Sequence, residues 1–205
     1  FVGDNELRVQ WVAEADWQYV CTFDVTAETL AQDCVELVAD GLDTLAGVSL
    51  NGQVVGTAEN LFRQYRWDVK GLLKPGPNTL QVDFASSVQS CTTRHGERQM
   101  LGVPQALPGG PYVRKAPCHF GWDWGPQLPP IGIWKDMRLE AYSVRLDDVH
   151  VRQIWNGQAV TVQATVTAAG QRAKPLQIQL DVIAPDGVAV IHQTEFPVEG
   201  SAQAA

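Results

Sequence analysis

The chain has 205 residues, of which 45% are hydrophobic and 19% are charged, and its formal net charge is −8. This composition is typical of a packed globular fold, and the length allows one large β-domain and part of another. The negative charge, with no cluster of lysine and arginine to offset it, argues against nucleic acid and anionic membranes as partners and favours a neutral ligand.

The sequence contains no targeting or membrane segment that we can identify. No apolar run approaches the roughly 20 residues that span a bilayer, and residues 1–10 lack the charged start and apolar run of a signal peptide. The first residue is Phe1 rather than Met, so we expect a processed or excised piece of a longer protein. We expect a soluble protein and favour the cytoplasm or the periplasm, between which the sequence does not distinguish.

The cysteines are widely spaced, at Cys21, Cys34, Cys91 and Cys118. They follow neither a CxxC pattern nor a paired Cys/His spacing, so we expect no metal and no other cofactor. Two disulfides are an alternative in an oxidising compartment, but a chain of this length does not need them, and we favour reduced thiols. Cys21 is expected to be buried on a strand.

Strand patterns begin early in the chain. Apolar and polar residues alternate over Trp17–Val25, which predicts a half-buried strand. The best helical candidate is a short segment over residues 27–32. Residues 43–50 then lead into Asn51-Gly52, a pair that favours the tight turn of a β-hairpin, and residues 53–56 can return as the partner strand.

A second turn is predicted over residues 74–78, and alternation resumes from Leu80 as another strand. Alternation stops over residues 86–111, which we interpret as a long irregular excursion, and loops of that length are often functional. Residues 134–142 look like the closing strand of a first domain. The domain boundary is predicted near Val144.

Short strands continue beyond the boundary. Alternation recurs over residues 160–166 and 176–182, and Pro185-Asp186-Gly187 predicts a turn. This spacing suggests an immunoglobulin-like sandwich, which usually needs about 100 residues, whereas only about 60 follow Val144. We therefore expect an all-β chain whose second domain, over residues 144–205, is truncated.

The densest unusual segment runs from Tyr112 to Trp134 and carries Trp122, Asp123 and Trp124 among glycines and prolines. The C–H faces of a sugar pack on indole rings, and its hydroxyl groups donate to carboxylates. An aspartate between two tryptophans therefore favours carbohydrate binding. Further hydrogen-bond donors precede it closely: Arg114, Lys115 and His119.

The same pattern has a purely structural interpretation, which the pattern alone favours. Trp122 and Trp124 would plug the end of a sandwich, and Asp123 would cap a turn. Sequence also provides no convincing catalytic machinery: Asp147-Asp148 is the closest acidic pair, and adjacent strand residues face opposite ways. No hydrolase elbow, zinc-protease or phosphate-loop motif is present.

Residues 119–126 read HFGWDWGP, a run that resembles the amino-terminal domain of β-mannosidases in glycoside hydrolase family two. Its flanks, 112–115 and 132–136, fit the same family. Upstream elements follow in the family's order and approximate spacing: Gly3-Asp4-Asn5-Glu6, Asp16-Trp17, Gly41-Leu42-Asp43-Thr44, Leu50-Asn51-Gly52, Glu59-Asn60-Leu61-Phe62 and Tyr65-Arg66-Trp67-Asp68-Val69. The resemblance covers nearly all of residues 1–143, and residues 144–205 fit less distinctively.

The resemblance implies a jelly-roll β-sandwich of the galactose-binding type over residues 1–143, then an immunoglobulin-like sandwich over residues 144–205. It also implies a TIM barrel, absent from this chain, whose two glutamates remove terminal β-linked mannose with retention. In the family, the loop that corresponds to Trp122–Trp124 binds the terminal sugar. The resemblance implies that Asp123 accepts hydrogen bonds from the hydroxyl groups of that sugar. The implied partners are a β-mannoside oligosaccharide and the barrel of the same parent protein.

Two departures from the family pattern matter. The family usually has several dozen residues before the Gly3–Glu6 element, including a strand that covers the sandwich, so we expect an exposed sheet edge here. Without the barrel, the chain alone should bind sugar weakly and hydrolyse nothing. The alternatives are a fragment of a related exo-β-glucosaminidase, a free-standing carbohydrate-binding module, and a structural adaptor in which residues 122–124 are buried.

Overall fold

The computed structural model describes residues 3–170, 177–183, 187, 190–197 and 202–204. The chain divides into two compact units, residues 1–31 with 35–141 and residues 32–34 with 142–205. Because strands in antiparallel sheets dominate, the prediction of an all-β chain is confirmed.

The α-helices are α1 (Asn5–Arg8), α2 (Gln10–Glu14), α3 (Ala27–Ala31) and α4 (Ser87–Glu97), and 3-10 helices form at Lys70–Leu72, Gly110–Tyr112 and Pro117–Phe120. The strands of the first part of the chain are β1 (Trp17–Val25), β2 (Cys34–Ala39), β3 (Leu42–Asp43), β4 (Leu45–Leu50), β5 (Gln53–Ala58), β6 (Tyr65–Asp68), β7 (Gly76–Ala85), β8 (Gly132–Ile133) and β9 (Met137–Tyr142). The later strands are β10 (Val144–Trp155), β11 (Val160–Gly170), β12 (Gln177–Ile183), β13 (Val190–Pro197) and β14 (Ala202–Ala204).

The first unit is built on two antiparallel sheets, with strand orders β1-β7-β4-β5 and β6-β2-β9, and on a short β3-β8 ribbon. Strand β7 shows the predicted alternation, because Val82 and Phe84 are buried whereas Asp83 is exposed. The core residues come from both sheets, and its fully buried members include Val35, Leu42, Leu50, Val69, Val82 and Phe84. Burial of these side chains is the main favourable contribution to the stability of this unit.

The predicted Asn51-Gly52 hairpin is confirmed. It joins β4 to β5, with Leu50 opposite Gln53. Asn51 has φ 52° and Gly52 has φ 79°, the pair of positive values that a type I′ turn requires. The Asn51 side chain also donates to the Leu72 carbonyl and accepts from the Thr79 amide, each at 2.9 Å. The turn is therefore tied to β7 as well as closing its own hairpin.

Helix α4 lies in the segment that we expected to be irregular, so that prediction is wrong for residues 87–97. Ser86 caps the helix by accepting a hydrogen bond from the Gln89 amide at 3.1 Å. The same hydroxyl donates to the Ala13 carbonyl at 2.6 Å. Ser87 and Cys91 are buried, and their spacing of four residues is the helical periodicity that a search for strand alternation overlooks.

The expectation that Cys21 is buried is also wrong, because its side chain is exposed. Strand β1 lies at the edge of its sheet and pairs with β7, so it has a neighbour on one side among the described residues. Tyr19, on the same side of the strand as Cys21, is 41% exposed. The alternation of residue types identified a shared face but not whether a second layer covers that face.

The second unit contains antiparallel pairs at β10-β11, β11-β14 and β12-β13. In β11, Ala164 and Val166 are buried, as the alternation predicted, whereas Val160 and Val162 are exposed. Residue 176 and residues 185–186, which belong to the predicted strand and turn, lie outside the described residues. No helix in the part of the chain that the structure describes is long and apolar enough to cross a membrane.

A network of charged side chains crosses the β6-β2-β9 sheet. Arg66 donates to Glu36 at 3.2 Å and to Glu140 at 2.6 Å, and Arg138 donates to Asp40 at 2.5 Å and to Glu140 at 2.9 Å. The Arg66 guanidinium, with help from Arg138, holds the pKa of Glu140 below its ordinary value of 4.5. These cross-strand pairs connect the edge strands to the central strand of the sheet.

Substitution of Gly56 on β5 tests the contact between β5 and the side chain of Trp67. A Cβ atom at Gly56 would lie 2.2 Å from Trp67 Nε1, so we expect Gly56→Ala to lower the free energy of unfolding by about 1–3 kcal/mol through overpacking. Denaturant unfolding of the 205-residue chain measures this change. Gly47→Ala on β4 is the matched control, because nothing lies within 4 Å of its Cβ position. Equal losses in both variants would contradict the steric explanation.

Substitution of Glu140 tests the charge network through its pH dependence. The lowered pKa means that the stabilisation is fully present above the ordinary value of 4.5 and is lost as the pH falls through the pKa of the folded state. We expect Glu140→Gln to cost about 0.5–1 kcal/mol near neutral pH and progressively less under acid conditions, as for other partly exposed ion pairs. Urea unfolding at several pH values measures the difference, and Glu59→Gln, at an exposed carboxylate, is the control. A pH-independent loss would show that the charge of Glu140 is not what stabilises the sheet.

Candidate functional site

A tight turn presents the residues that the sequence singled out. The Trp122 amide donates to the Gly125 carbonyl at 3.2 Å, and the Gly125 amide donates to the Trp122 carbonyl at 3.3 Å. Asp123 and Trp124 are therefore the two residues at the tip. Trp122 is 41% exposed, Trp124 is 80% exposed and Asp123 is exposed. The turn thus offers two accessible indoles and one carboxylate, which does not fit the alternative in which the tryptophans plug the sandwich.

The segment before the turn is anchored by packing. Phe120, the last residue of the 3-10 helix Pro117–Phe120, is 1% exposed, and its carbonyl accepts from the Leu107 amide at 2.8 Å. Gly121 follows with φ 104°, and a Cβ atom there would lie 2.4 Å from Gln127 Cγ. Only glycine meets both requirements without strain. The chain therefore reverses sharply at Gly121 as it leaves the core and enters the turn.

The segment after the turn is held by Gln127. Its amide donates to Glu6 Oε1 at 2.8 Å, its carbonyl accepts from Gln10 Nε2 at 2.9 Å and its side chain donates to the Gln105 carbonyl at 2.8 Å. Helices α1 and α2 are thereby connected to the segment that follows the turn. The sequence offered no signal for these bonds, which join residues 117 and 121 positions apart.

A buried ion pair lies beneath the loop. Lys115 Nζ donates to both carboxylate oxygens of Asp43 at 2.5 Å and to the Pro130 carbonyl at 2.7 Å. The Lys115 side chain is completely buried and that of Asp43 is 3% exposed. The carboxylate also accepts a hydrogen bond from the Thr44 hydroxyl. Burial lowers the pKa of Lys115, and the hydrogen bond and charge of Asp43 oppose that shift.

His119 lies at the rim of this pair. Its Nδ1 is 3.8 Å from Asp43 Oδ2, and the ring is half-buried. Burial, followed by the charge of Lys115, lowers the pKa of His119, while Asp43 acts in the opposite direction. The neutral imidazole is therefore favoured at neutral pH. A charged donor for a sugar is thus not expected from His119, and Lys115 is buried, so of the nearby donors only Arg114 has an exposed side chain.

A groove of about 890 Å³ borders the turn at Trp122. Most of its lining is apolar, and its polar members are His95, Arg114 and Lys115. His95 Nδ1 accepts a hydrogen bond from the Met100 amide at 3.3 Å, which is a structural role. The principal apolar lining residues are Phe62, Met100, Val103, Leu107, Phe120 and Trp122. A groove of this size and composition can hold a small organic ligand.

Other chemistry finds less support in the described part of the chain. No group of three or more His, Cys, Asp and Glu side chains that could hold a metal ion is found among the described residues. Glu36 and Glu140 both pair with Arg66, at 3.2 and 2.6 Å. Asp147 pairs with Arg145 at 2.7 Å. The carboxylate of Asp123 therefore stands out because it is exposed and adjoins two exposed tryptophans in the sequence.

A protein-family model matches the part of the chain that forms most of the first unit. Residues 1–135 match the family model described as Glycosyl hydrolase 2 galactose-binding domain-like. The β-mannosidase B of Neosartorya fischeri is 40% identical over 156 residues, which cover 73% of this chain and 18% of that protein. The β-mannosidase of Rattus norvegicus is 30% identical over 193 residues, covering 89% and 22%. The chain spans about a fifth of the length of these relatives.

Solved structures give a similar result. The β-D-mannosidase from Dictyoglomus thermophilum superimposes with a TM-score of 0.89 and 31% identity, covering 100% of this chain and 25% of that one. The β-glucuronidase from Bifidobacterium dentium has a TM-score of 0.61 and 19% identity, covering 91% and 32%, so it shares the fold alone. The resemblance inferred from residues 119–126 is thereby confirmed.

The buried ion pair generates a stability prediction. Lys115→Met leaves the buried carboxylate of Asp43 without its counter-charge, and we expect it to lower the free energy of unfolding by about 3–5 kcal/mol. Adding Asp43→Leu removes the unpaired charge and should restore most of the loss. Lys135→Met is the control, because the exposed Lys135 places its ammonium 4.3 Å from the centroid of the half-exposed Trp134 ring, and its loss should cost about 1 kcal/mol or less. Denaturant unfolding of the 205-residue chain measures the free energy of unfolding of each variant. If the double variant is no more stable than Lys115→Met, the loss does not come from an unpaired charge.

Proposed function

Because this chain belongs to the glycosyl hydrolase 2 family through its galactose-binding-like domain, we propose that it is the non-catalytic front part of an exo-β-mannosidase. In this proposal it supplies one wall of the pocket that binds the terminal sugar. The observation that carries the proposal is the exposed turn at Trp122–Gly125, in a chain 40% identical to a β-mannosidase B.

The turn supplies the two kinds of surface that a terminal mannose needs. The indoles of Trp122 and Trp124 offer flat faces for the C–H groups of the sugar. The carboxylate of Asp123 accepts hydrogen bonds from hydroxyl groups, and such charge-assisted bonds are worth about 1.5–3 kcal/mol each. Exposure of all three side chains supports this role, because a ligand can reach them without displacing the core.

The cleavage chemistry is assigned to residues outside this chain. We propose two carboxylates on a TIM barrel of the parent protein, one acting as the acid and base and the other as the nucleophile, with retention of configuration. The partners are therefore a β-mannoside oligosaccharide and that barrel. Residues 1–143 would form the jelly-roll domain, and residues 144–205 would belong to an immunoglobulin-like domain. The chain alone should be inactive.

A free-standing carbohydrate-binding module is the second candidate. It is favoured by the exposure of Trp122 and Trp124, since an aromatic platform binds sugars without help from another domain. A fragment of an exo-β-glucosaminidase is a variant of the first proposal with a different sugar. The three candidates differ in which sugar binds or reacts. They also differ in whether the 205-residue chain alone is sufficient for sugar binding.

Substitution of Asp123 tests the proposal in the full-length protein that carries this chain. We expect Asp123→Ala to lower kcat/KM for a chromogenic β-mannoside about 10- to 100-fold, the equivalent of one charge-assisted hydrogen bond. Asp123→Asn should lose less, because its amide oxygen still accepts. Asp24→Ala, at an exposed position on β1, is the control for loss of a surface carboxylate.

Each alternative outcome points to a different function. Unchanged kinetics in Asp123→Ala would contradict the proposed pocket. Hydrolysis of β-glucosaminides but not of β-mannosides by the wild type would transfer the assignment to the related enzyme. Calorimetric binding of mannosides at micromolar concentration by the 205-residue chain alone would favour the binding module.

A further inference from the structure

Lys115 and Pro130 flank the loop that carries the exposed turn. This loop, residues 116–129, follows the buried Lys115, is buried again at Phe120 and Gly121, and ends at the buried Pro129. Lys115 Nζ donates to the Pro130 carbonyl at 2.7 Å and to both oxygens of Asp43 at 2.5 Å. One ammonium group therefore joins the start of the loop, its end and strand β3.

We infer that Lys115 is a positioning residue for the sugar pocket, because its buried ammonium clamps both ends of the 116–129 loop onto Asp43. This inference rests on the proposed function of Trp122–Trp124. In this inference Lys115 does not contact the sugar. Its role is to fix the position of the turn relative to the sheets.

Asp43 is a rigid anchor for such a clamp. It lies on β3, opposite Gly132 of β8, and its neighbours Leu42 and Thr44 are both 0% exposed. The Thr44 hydroxyl donates to the same carboxylate. The core thus fixes the position of the Asp43 carboxylate. Because Lys115 binds both this carboxylate and the Pro130 carbonyl, the two ends of the loop are held at that position.

Stability alone does not explain why a charge pair occupies this site. Removing two charges from water is costly, and well-packed apolar side chains of similar volume often replace a buried pair without loss of stability. An apolar pair could not donate to the Pro130 carbonyl, however. The feature that needs the ammonium is therefore the connection between the two ends of the loop.

The loop keeps other attachments when this clamp is removed. The Arg114 carbonyl accepts from the Leu61 amide at 2.9 Å, and Gln127 is bonded to Glu6 at 2.8 Å. Loss of Lys115 should therefore loosen the loop and displace its tip without unfolding it. Since a displacement of about 1 Å in a binding group can cost up to ~100-fold in catalytic efficiency, a displaced tip is sufficient to weaken sugar binding.

The test uses the double variant Asp43→Leu/Lys115→Met in the full-length protein. Its unfolding midpoint should be much closer to that of the wild type than the midpoint of Lys115→Met is, while KM for a β-mannoside rises about 10-fold or more and kcat changes less. Hydrogen exchange followed by mass spectrometry should be faster in residues 116–129 and unchanged in β4 and β7. Arg66→Met/Glu140→Gln, which removes an ion pair of the β6-β2-β9 sheet, is the matched control, and it should change neither KM nor the exchange of residues 116–129.

The outcomes separate the clamp from the proposed function. Wild-type KM or wild-type exchange in residues 116–129 of a stably folded double variant would overturn the inference. If that variant does not fold, Asp43→Asn/Lys115→Met also removes the donor to the Pro130 carbonyl while keeping an acceptor for the Thr44 hydroxyl, and the same results are expected from it. A third outcome combines faster exchange of residues 116–129 in the double variant with unaffected activity in Asp123→Ala. It would reject the proposed pocket while showing that the clamp restrains the loop.

Discussion

The buried ion pair between Lys115 and Asp43 is the constraint on which the site depends. A charge without water is tolerated only when its hydrogen-bonding groups are used. Asp43 accepts from Lys115 and from the Thr44 hydroxyl, and Lys115 uses a further donor on the Pro130 carbonyl. These bonds require β3, Lys115 and Pro130 to meet at one point. The two ends of the loop between Lys115 and Pro130 are therefore held at a defined place beside β3.

The rest of the loop follows from that placement. Phe120 is buried and Gly121 adopts a positive φ, so the chain turns outward directly after an anchored residue. The bonds from Trp122 to Gly125 then close a turn with two residues at its tip. Exposed side chains on a loop held by a rigid sandwich combine accessibility with a defined position, which a flexible loop does not achieve.

The patterns of the sequence predicted local structure where one interaction dominates. Alternation predicted β7, and Asn51-Gly52 predicted the hairpin, because both signals arise from neighbouring residues. Helix α4 was missed because its buried face consists of small residues, Ser87 and Cys91, rather than large apolar ones. Cys21 was misjudged because its exposure depends on what lies across from an edge strand. That neighbour is not encoded in the strand's own pattern.

By itself, the sequence determined the family, the all-β class and the candidate residues Trp122, Asp123 and Trp124, because these depend on short motifs and on local alternation. The tertiary structure alone decided that Asp43 is the counter-charge of Lys115. The two residues are 72 positions apart, and the sequence shows only a lysine beside an arginine and an aspartate in a strand motif. Burial and pairing of charges depend on how distant segments pack, which no local pattern records.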